Sequence, residues 1–343
     1  MNGKIISSLL TLLYNVLVSV RNFFYKVQIL STKSLKCKII SIGNITIGGA
    51  GKTPTVEYLS KLLQSKGYKV GIISRGYKRK SKSTLIVTDG IDKPESWEDV
   101  GDEPFLLAHK LDNVPIVVGA SKYESGAIMI EKFQPDVILV DDGFQHLSLN
   151  RDLDIVLVNS KDMQSDHKLI PSGKLREPIS NLNRADLIII TKSNIHKPTN
   201  YLINIIKSFN RTIIYNEIKI KDLLQYKSNE TNKLEKIANK KVYLFSALGD
   251  NESFKKMMEN TDADIVGHSK YLDHHHYTSD DLKYIEHNAI KNSAEFLITT
   301  EKDLVKINFK FKKTEVYAVR MKMLFKPESL FREPIENLLS KVT

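Results

Sequence analysis

Residues 38–67 read KIISIGNITIGGAGKTPTVEYLSKLLQSKG, and this stretch decides the fold. The apolar run 38–43 predicts a short buried strand. Val56, Leu59 and Leu63 recur at helical spacing and predict a helix with these three side chains on one face. A strand, a glycine-rich turn and a helix, in this order, are the setting of a Walker A phosphate-binding loop. The stretch therefore predicts a P-loop α/β domain.

The glycine-rich turn has the chemistry needed to bind nucleotide phosphates. Its backbone N–H groups and the N-terminus of the following helix attract phosphate oxygens. Lys52 would reach the β- and γ-phosphates of ATP, and the Thr53 hydroxyl would ligate Mg²⁺. The pattern G-x-x-x-x-G-K-[ST] ends at these two residues, but Thr46 stands at its first glycine position. The predicted ATP-binding residues are Thr46, Gly48, Gly49, Ala50, Gly51, Lys52 and Thr53.

A second nucleotide element lies at residues 135–146, PDVILVDDGFQH. The apolar run 137–140 predicts a strand that ends at Asp141 and Asp142. Open α/β sheets bind their ligands at this end of the strands. One of the two carboxylates can therefore belong to the Mg²⁺ shell, and the other is free to order water or Lys52.

Residues 191–194, TKSN, are similar to the [NT]-K-x-D motif with which guanine-specific P-loop proteins bind the base. Asn194 stands where that motif has aspartate, and an amide cannot accept hydrogen bonds from both guanine N–H donors as a carboxylate can. The sequence therefore favours adenine.

The composition of the 343-residue chain is that of an ordinary globular protein with an anionic partner. Hydrophobic residues make up 41% and charged residues 27%, which excludes collagen-like and wholly disordered classes. Lys and Arg number 51 against 40 acids, and the resulting net charge of +11 favours a nucleotide, nucleic acid, phospholipid or phosphorylated metabolite as partner. The single cysteine, Cys37, excludes an intrachain disulfide and a Cys-based zinc site, so cytosolic exposure is the simplest interpretation.

Strand-like and helical runs alternate along the chain and predict a doubly wound, mainly parallel sheet. At roughly 150 residues per domain, the length predicts two domains and leaves a third open. We predict an N-terminal apolar helix in 1–30, the P-loop domain in 31–211, a linker strand in 212–225 and a second, smaller α/β domain in 226–343. The strand-like runs are 38–43, 69–74, 84–88, 115–119, 137–141, 154–158, 186–191, 242–247, 263–267, 295–299 and 315–320.

The N-terminal run 5–20, IISSLLTLLYNVLVSV, contains no charged residue. As a helix it would be about 24 Å long, which is short of the roughly 30 Å hydrocarbon core of a bilayer. A buried core helix, a helix in the membrane interface and a spanning helix all remain open. We favour the interfacial helix, with the aromatic residues 23–25 at head-group depth and peripheral contact with a membrane. A narrow polar stripe on this helix is predicted from Ser8, Thr11, Asn15 and Ser19.

Seven motifs in sequence order closely resemble those of the tetraacyldisaccharide 4′-kinases, enzymes of lipid A biosynthesis in Gram-negative bacteria. The resemblance covers residues 5–320, and the family shares the departure at Thr46. DDGFQH followed by LREP and TEKD is its most specific part. The motifs are SIGNITIGGAGKTPTVEYL (41–59), SRGYKRKS (74–81), VGDEPFLLA (100–108), DDGFQHLSLNRDLDIVLV (141–158), LREP (175–178), DHHHYT (273–278) and TTEKDLVKI (299–307).

The resemblance implies transfer of phosphate from ATP, with Mg²⁺, to the 4′-hydroxyl of an acylated glucosamine disaccharide 1-phosphate, giving lipid IVA. It implies a P-loop domain joined by a two-stranded linker to a smaller α/β domain that closes over the active site. It also implies contact with the cytoplasmic face of the inner membrane. We expect no nucleic acid and no obligate protein partner.

The resemblance also assigns roles to single residues. Asp102 matches the family's catalytic carboxylate, which takes the proton of the sugar hydroxyl, and His274 would pair with it across an interdomain cleft. A neighbouring histidine, His275 or His276, remains an alternative for that role. Arg176 matches a cationic clamp on the transferred phosphate, for which the planar guanidinium is suited.

Further residues would complete the metal and substrate sites. The metal shell implied by the resemblance adds Glu103 and Glu177 to Thr53 and the Asp141–Asp142 pair. Lys122 stands where the family commonly carries arginine, so it keeps the charge but loses the bidentate fork. The candidate substrate-binding residues are Arg75, Lys122, Gln145 and His146.

Two other functions remain open beside the lipid kinase. A P-loop metallochaperone GTPase would use the histidines at 274–276 for its cargo, although consecutive residues of an extended segment point to opposite faces. A non-catalytic, membrane-docked nucleotide-binding scaffold would use the basic surface and the N-terminal helix, and it would tolerate replacement of Asp102.

Overall fold

The computed structural model describes residues 2–340, with side chains from residue 6 onward. The strands are β1 Lys38–Asn44, β2 Val70–Ser74, β3 Leu85–Thr88, β4 Ile116–Val118, β5 Val137–Asp141, β6 Leu153–Asn159, β7 Leu187–Thr191, β8 Ile213–Gln225, β9 Thr231–Asn232, β10 Lys241–Ser246, β11 Asp264–Lys270, β12 Phe296–Thr300 and β13 Glu315–Lys326. The α-helices are α1 Asn2–Lys26, α2 Lys52–Ser65, α3 Trp97–Val100, α4 Asp102–Lys110, α5 Lys122–Phe133, α6 Asn200–Lys207, α7 Asn251–Glu259, α8 Ser279–Lys291, α9 Glu301–Leu304 and α10 Glu328–Leu339.

These strands form one sheet in the order β11-β10-β12-β13-β8-β7-β6-β1-β5-β2-β4-β3, with β9 added beside β8. From β7 to β4 neighbouring strands are parallel, and β3 closes that edge in the antiparallel sense. The strands from β11 to β13 are also parallel. The predicted α/β class with a doubly wound, mainly parallel sheet is confirmed, and each predicted strand-like run overlaps an observed strand.

The stretch 38–67 folds as its apolar pattern predicts. β1 lies between β5 and β6 in the middle of its half of the sheet, and its side chains from residue 39 onward are buried. Val56, Leu59 and Leu63 of α2 are buried in the main hydrophobic core. The helix ends at Ser65, and Gly67 follows with a φ of 88°, a conformation that glycine adopts without strain.

The two parallel halves of the sheet are joined by a long antiparallel pair, β8 and β13. β8 lies inside the predicted linker range 212–225, although the division of the chain into domains stays a prediction. β13 runs six residues beyond the predicted end at residue 320. This extension pairs with β8, so that Met323 lies opposite Ile218 and Phe325 opposite Asn216.

Helix α1 lies on the surface, so the core-helix interpretation is wrong. Val18 is its buried side chain among those described, while most of its apolar residues are exposed. The segment Ile6–Lys26 is long and apolar enough to cross a membrane by length and composition, and 6% of it is buried. The exposed apolar residues are Ile6, Leu9, Leu10, Leu12, Leu13, Val16, Leu17, Val20, Phe23 and Phe24.

The face of α1 that contacts the body differs from the predicted polar stripe. Thr11 belongs to both, but Ser8 and Ser19 are exposed. The contacting side chains recur every three or four residues along one helical face. They are Ser7, Thr11, Tyr14, Val18 and Arg21.

Candidate active site

A cavity of about 590 Å³ opens between the P-loop and the smaller half of the molecule. It lies at the C-terminal ends of β1, β2, β5 and β12, where open α/β sheets bind their ligands. The structure brings most of the predicted site residues to its walls. These are Gly48, Gly49, Ala50, Gly51, Lys52, Thr53, Arg75, Glu103, Asp141, Asp142, Arg176 and His274.

The P-loop links the end of β1 to the start of α2. Gly51 directly precedes the helix with a φ of 88°, a conformation that favours glycine. The Lys52 ammonium donates to Asn44 Oδ1 at 3.1 Å and lies 3.6 Å from Asp142 Oδ1. Thr46 is buried and does not line the cavity; its hydroxyl donates to Asp162 at 3.4 Å. Thr46 therefore shapes the loop, while the glycines and Lys52 face the space for phosphates.

Asp142 is held in place by two cations. Nη1 of Arg176 donates to both of its carboxylate oxygens, at 3.0 and 2.9 Å, and Lys52 stands on its other side. Burial alone would raise the pKa of Asp142, but Lys52 and Arg176 lower it to about 2. This carboxylate is therefore ionised and paired at neutral pH.

Asp141, at the end of β5, has a different environment. Burial and the negative charge of Glu103 raise its pKa to about 6. Its Oδ2 accepts a hydrogen bond from the Ser74 hydroxyl at 3.1 Å, but its buried Oδ1 has no hydrogen-bond partner among the described residues. A buried acceptor without a partner is costly unless a ligand completes it.

The residues at this point fit Mg²⁺. Oxygen donors suit this ion, which in nucleotide sites is held by one or two carboxylates together with phosphate oxygens. Asp141, Glu103 and the Thr53 hydroxyl all line the cavity. No group of three or more His, Cys, Asp or Glu side chains within residues 2–340 is arranged to hold a metal by itself. The fit is therefore to a metal shared with a nucleotide.

Asp102 and His274 meet on the wall opposite the P-loop lysine. Nδ1 of His274 lies 2.8 Å from Asp102 Oδ2 and 3.0 Å from Oδ1. Burial would raise the pKa of Asp102, but the hydrogen bond from His274 and the charge of Lys302 lower it below its usual value. Asp102 is buried, so His274 is the member of the pair that lines the cavity.

Lys302, from the TEKD motif, is a site residue that the sequence analysis missed. Its ammonium contacts Glu103 at 2.9 Å and Asp273 at 3.2 Å, and it lies 4.0 Å from Asp102. Burial alone would lower the pKa of Lys302, but these three carboxylates raise it. The motif forms the short helix α9 directly after β12, and its lysine reaches across the cleft to Glu103 of α4.

Asp250 was also missed, because no sequence pattern distinguishes it. It is buried beside the P-loop and joins two lysines of the other half of the molecule, Lys192 at 2.6 Å and Lys161. The preceding Gly249 packs on the loop so closely that an added Cβ would lie 2.8 Å from the Gly49 nitrogen. The smaller half therefore contacts the P-loop directly.

Besides Thr46 and Asp102, four further predicted residues do not line the cavity. Glu177 does not fit a metal role, because Arg184 and Asn181 occupy its buried carboxylate oxygens at 2.7–2.9 Å. Lys122 is 1% exposed and lies behind Asp141, donating to its main-chain oxygen at 2.9 Å. It therefore supports the strand end, and the predicted contact with substrate does not fit.

Gln145 and His146 are likewise set back from the cavity. The Gln145 amide nitrogen donates to the Asn44 carbonyl at 2.9 Å, and its oxygen accepts from Arg176 at 3.2 Å. Burial and the nearby charge of Lys122 lower the pKa of His146 to about 4, so it is neutral at pH 7. Gln145 thus supports the clamp around Asp142 through its contact with Arg176.

The three consecutive histidines have separate partners. While His274 contacts Asp102, His275 Nε2 lies 3.0 Å from Asp281 Oδ2, and His276 packs edge-on against the Trp97 ring at 4.4 Å. This arrangement supports His274 as the member that faces the cleft.

Asn194 does not have the role in base recognition for which its motif was considered. Its side-chain nitrogen donates to the Ile218 carbonyl, and its side-chain oxygen accepts from the Ile218 N–H, both at 2.9 Å. The Asn194 side chain thus connects the turn after β7 to β8 through these two hydrogen bonds.

Comparisons with known proteins find relatives that match most of the chain. The family model of Tetraacyldisaccharide-1-P 4'-kinase matches residues 4–340. The chain is 36% identical over 295 residues to the tetraacyldisaccharide 4′-kinase of Aquifex aeolicus (strain VF5), covering 86% of this chain and 87% of the relative. It is 34% identical over 309 residues to the enzyme of the same name from Bdellovibrio bacteriovorus, covering 90% of each chain.

A solved structure is similar over nearly the whole chain. The crystal structure of an "apo" form of LpxK from Aquifex aeolicus in complex with ATP matches with a TM-score of 0.78 and 33% sequence identity. The match covers 96% of this chain and 97% of that one.

Proposed function

The chain belongs to the tetraacyldisaccharide-1-P 4′-kinase family, and we propose that it is an ATP-dependent lipid kinase. It would transfer the γ-phosphate of ATP to the 4′-hydroxyl of a tetraacylated glucosamine disaccharide 1-phosphate, giving lipid IVA. The observation that carries the proposal is the contact between the buried Asp102 and His274, which lines the same cavity as the P-loop. A phosphate-binding loop and a proton acceptor facing the same space are what phosphoryl transfer to an alcohol needs.

The nucleotide would lie along the wall that begins at the P-loop. The loop's backbone N–H groups and Lys52 would hold the phosphates. The adenine ring would lie in an apolar part of the cavity, since its faces need apolar contact. The side chains of that part are Ile195, Ile218, Leu248, Phe254, Met257 and Met321.

Asp141, Thr53 and Glu103 would hold Mg²⁺, which when bound supplies positive charge beside the β- and γ-phosphates. Arg176 is placed for the same electrostatic task from the protein side. Its guanidinium already binds Asp142 with one nitrogen and donates to Asn44 Oδ1 at 2.8 Å with the other. This anchoring leaves it oriented toward the cavity it lines, where charge develops on the transferred phosphate.

The pair of Asp102 and His274 would accept the proton of the 4′-hydroxyl as that oxygen attacks the phosphorus. Asp102 would be the catalytic carboxylate, and His274 would orient it and present the pair to the substrate. An aspartate of ordinary basicity suffices, because the proton moves late in a loose transition state and positioning supplies most of the effect. The proton ends on the pair, and the bond between the γ-phosphorus and the bridging oxygen of ADP breaks.

The acyl chains of such a substrate require a membrane or micelle. Helix α1 presents a continuous exposed apolar surface of the kind that inserts into the head-group region of a bilayer. We infer peripheral contact with the cytoplasmic face of the inner membrane, with the cavity opening beside the lipid.

The test is to incubate the purified protein with γ-labelled ATP and the disaccharide 1-phosphate and to look for a labelled bisphosphorylated lipid. Lys52→Ala is the control variant and should abolish turnover, because the β- and γ-phosphates lose their main counter-charge. Absence of labelled lipid with the unaltered protein would refute the proposed function. Near-normal turnover in Lys52→Ala would refute the P-loop assignment.

A further inference from the structure

Two of the hydrogen bonds between α1 and the body reach the residues that hold the phosphate clamp. The Tyr14 hydroxyl donates to the main-chain carbonyl of Arg176 at 2.6 Å. The Arg21 guanidinium, two helical turns further on, donates to the main-chain carbonyl of Gln145. The Arg176 side chain binds Asp142 and Asn44, and the Gln145 side chain contacts both Arg176 and the Asn44 carbonyl.

The segment that receives Tyr14 is also bonded to the P-loop on its other side. The Arg176 N–H donates to the Ile45 carbonyl at 2.9 Å, and the Ile47 N–H donates to the Lys174 carbonyl at 2.8 Å. Residues 174–176 therefore lie between α1 and the start of the P-loop. A displacement of α1 would act on the peptide unit from which the Arg176 guanidinium extends.

Little of α1 is packed against the body. Val18 is its buried apolar side chain within the described residues, the half-buried Tyr14 ring packs against the core cluster that contains Leu175, and the large apolar surface of the helix faces outward. Since apolar burial is not directional but hydrogen bonds are, the polar contacts determine how the helix is oriented on the body. Tyr14 and Arg21 join it to the clamp, while Ser7 and Thr11 join it to Ser172 shortly before Arg176.

We propose that α1 is a positioning element of the phosphate clamp, with Tyr14 and Arg21 as positioning residues that fix the main chain of Arg176 and Gln145. This inference rests on the proposed function. The position of α1 on the body then orients the Arg176 guanidinium, which faces the transferred phosphate. This role is additional to holding the protein at a lipid surface.

The first test compares Tyr14→Phe with Tyr284→Phe, the same change at an exposed position of α8 whose hydroxyl makes no hydrogen bond among the described residues. Tyr14→Phe should lower kcat about tenfold, the effect of losing one hydrogen bond that holds a transition-state contact. The affinity for ATP and cosedimentation with phosphatidylglycerol vesicles should stay within twofold. Tyr284→Phe should match the unaltered protein throughout.

Arg21 gives a second pair of variants. Arg21→Met should lower kcat to a similar degree, and Arg21→Lys, which keeps a donor, should recover part of the loss. Should Arg21→Met fail to fold, Tyr14→Phe alone decides, because it removes one hydroxyl and leaves the ring in place. Unchanged kcat in Tyr14→Phe overturns the proposal, as does a loss explained wholly by weaker vesicle binding.

A readout independent of turnover separates this inference from the proposed function. Amide hydrogen exchange of residues 172–177 should become faster in Tyr14→Phe and stay unchanged in Tyr284→Phe, because only the first variant loses the hydroxyl that holds the Arg176 peptide. If the unaltered protein makes no labelled lipid but this exchange difference appears, the proposed function fails while the positioning contact stands. Equal exchange in both variants overturns the inference whatever the activity.

Discussion

Asp102 and His274 lie 172 positions apart in the chain, and their side chains meet at 2.8 Å. If they act on one proton, their substitutions should not be additive. Asp102→Ala and His274→Ala should each lower kcat by about 10²- to 10⁴-fold, the usual range for general acid–base residues. The double variant should be little worse than the poorer single one, and ATP affinity should change much less.

The adjacent His275 provides the control for this double-mutant cycle, because its ring is hydrogen-bonded to Asp281 and not to Asp102. His275→Ala should therefore leave kcat close to normal. Purely multiplicative losses in the double variant would mean that Asp102 and His274 act independently.

Lys302 should set the lower pH limit of activity through Asp102. The hydrogen bond from His274 and the charge of Lys302 outweigh burial and lower the pKa of Asp102, so removal of the lysine should raise that pKa. In Lys302→Met the acid limb of kcat/KM should move upward by roughly one pH unit, because the ionised carboxylate is then lost at higher pH. Lys283→Met, which removes an exposed lysine of α8, is the control. An acid limb at the same pH in both variants would contradict this role.

At the scale of single residues, the sequence predicts those whose motif has a chemical meaning of its own. Lys52 and Asp141 follow from patterns that require a lysine after a glycine turn and a carboxylate at a strand end. Lys302 and Asp250 do not, because their roles depend on which loops the sheet brings side by side. The family resemblance assigned Glu177 to the metal, but its carboxylate is bound by Arg184.

At the scale of elements, α1 should be separable from the rest of the fold. Deleting residues 1–26 removes one buried apolar side chain among those described, so the remaining chain should stay folded and bind ATP. It should no longer sediment with lipid vesicles, because the exposed apolar surface is lost. The measurements are vesicle cosedimentation and ATP binding of the truncated and full chains. Aggregation of the truncated chain with loss of ATP binding would show that the helix belongs to the core.

Element types were predictable wherever a segment is buried in a regular way. The strands of the P-loop half read as continuous apolar runs because parallel strands are covered on both faces. The sequence of the outward-facing α1 resembles that of a core helix, because periodicity alone does not distinguish a helix covered by protein from one covered by lipid. The end of β13 escaped prediction because residues 321–326, MKMLFK, are held by pairing with β8, a contact distant in sequence.

At the scale of the whole molecule, Asp250 should stabilise the contact between the two halves in a pH-dependent way. Burial alone would raise its pKa, but Lys192 and hydrogen bonds from Lys161, Lys192 and Ser253 lower it well below its usual value. A lowered carboxyl pKa gives stability that is fully present above about pH 4 and is lost as the pH falls further.

Asp250→Asn should therefore lower the free energy of unfolding by about 3 kcal/mol at neutral pH, because it leaves buried lysine charge without a partner. The difference from the unaltered protein should stay constant between about pH 5 and 7 and shrink below about pH 4. Urea unfolding across this range measures it, with Asp262→Asn, an exposed site in the same half, as the control. A difference that grows toward low pH would contradict the assigned sign.

The antiparallel pair of β8 and β13 gives the molecule a mechanical property. These two strands join the two halves of the sheet, and a two-stranded ribbon twists more readily than a wide sheet. We expect any opening or closing of the cleft to be a twist of this ribbon that moves the two halves relative to each other. The irregularity between Arg320 and Met321, where Arg320 donates to Asp222 of the opposite strand, lies along the ribbon. We therefore expect the flexibility of the ribbon to set how fast a nucleotide enters and leaves the cleft.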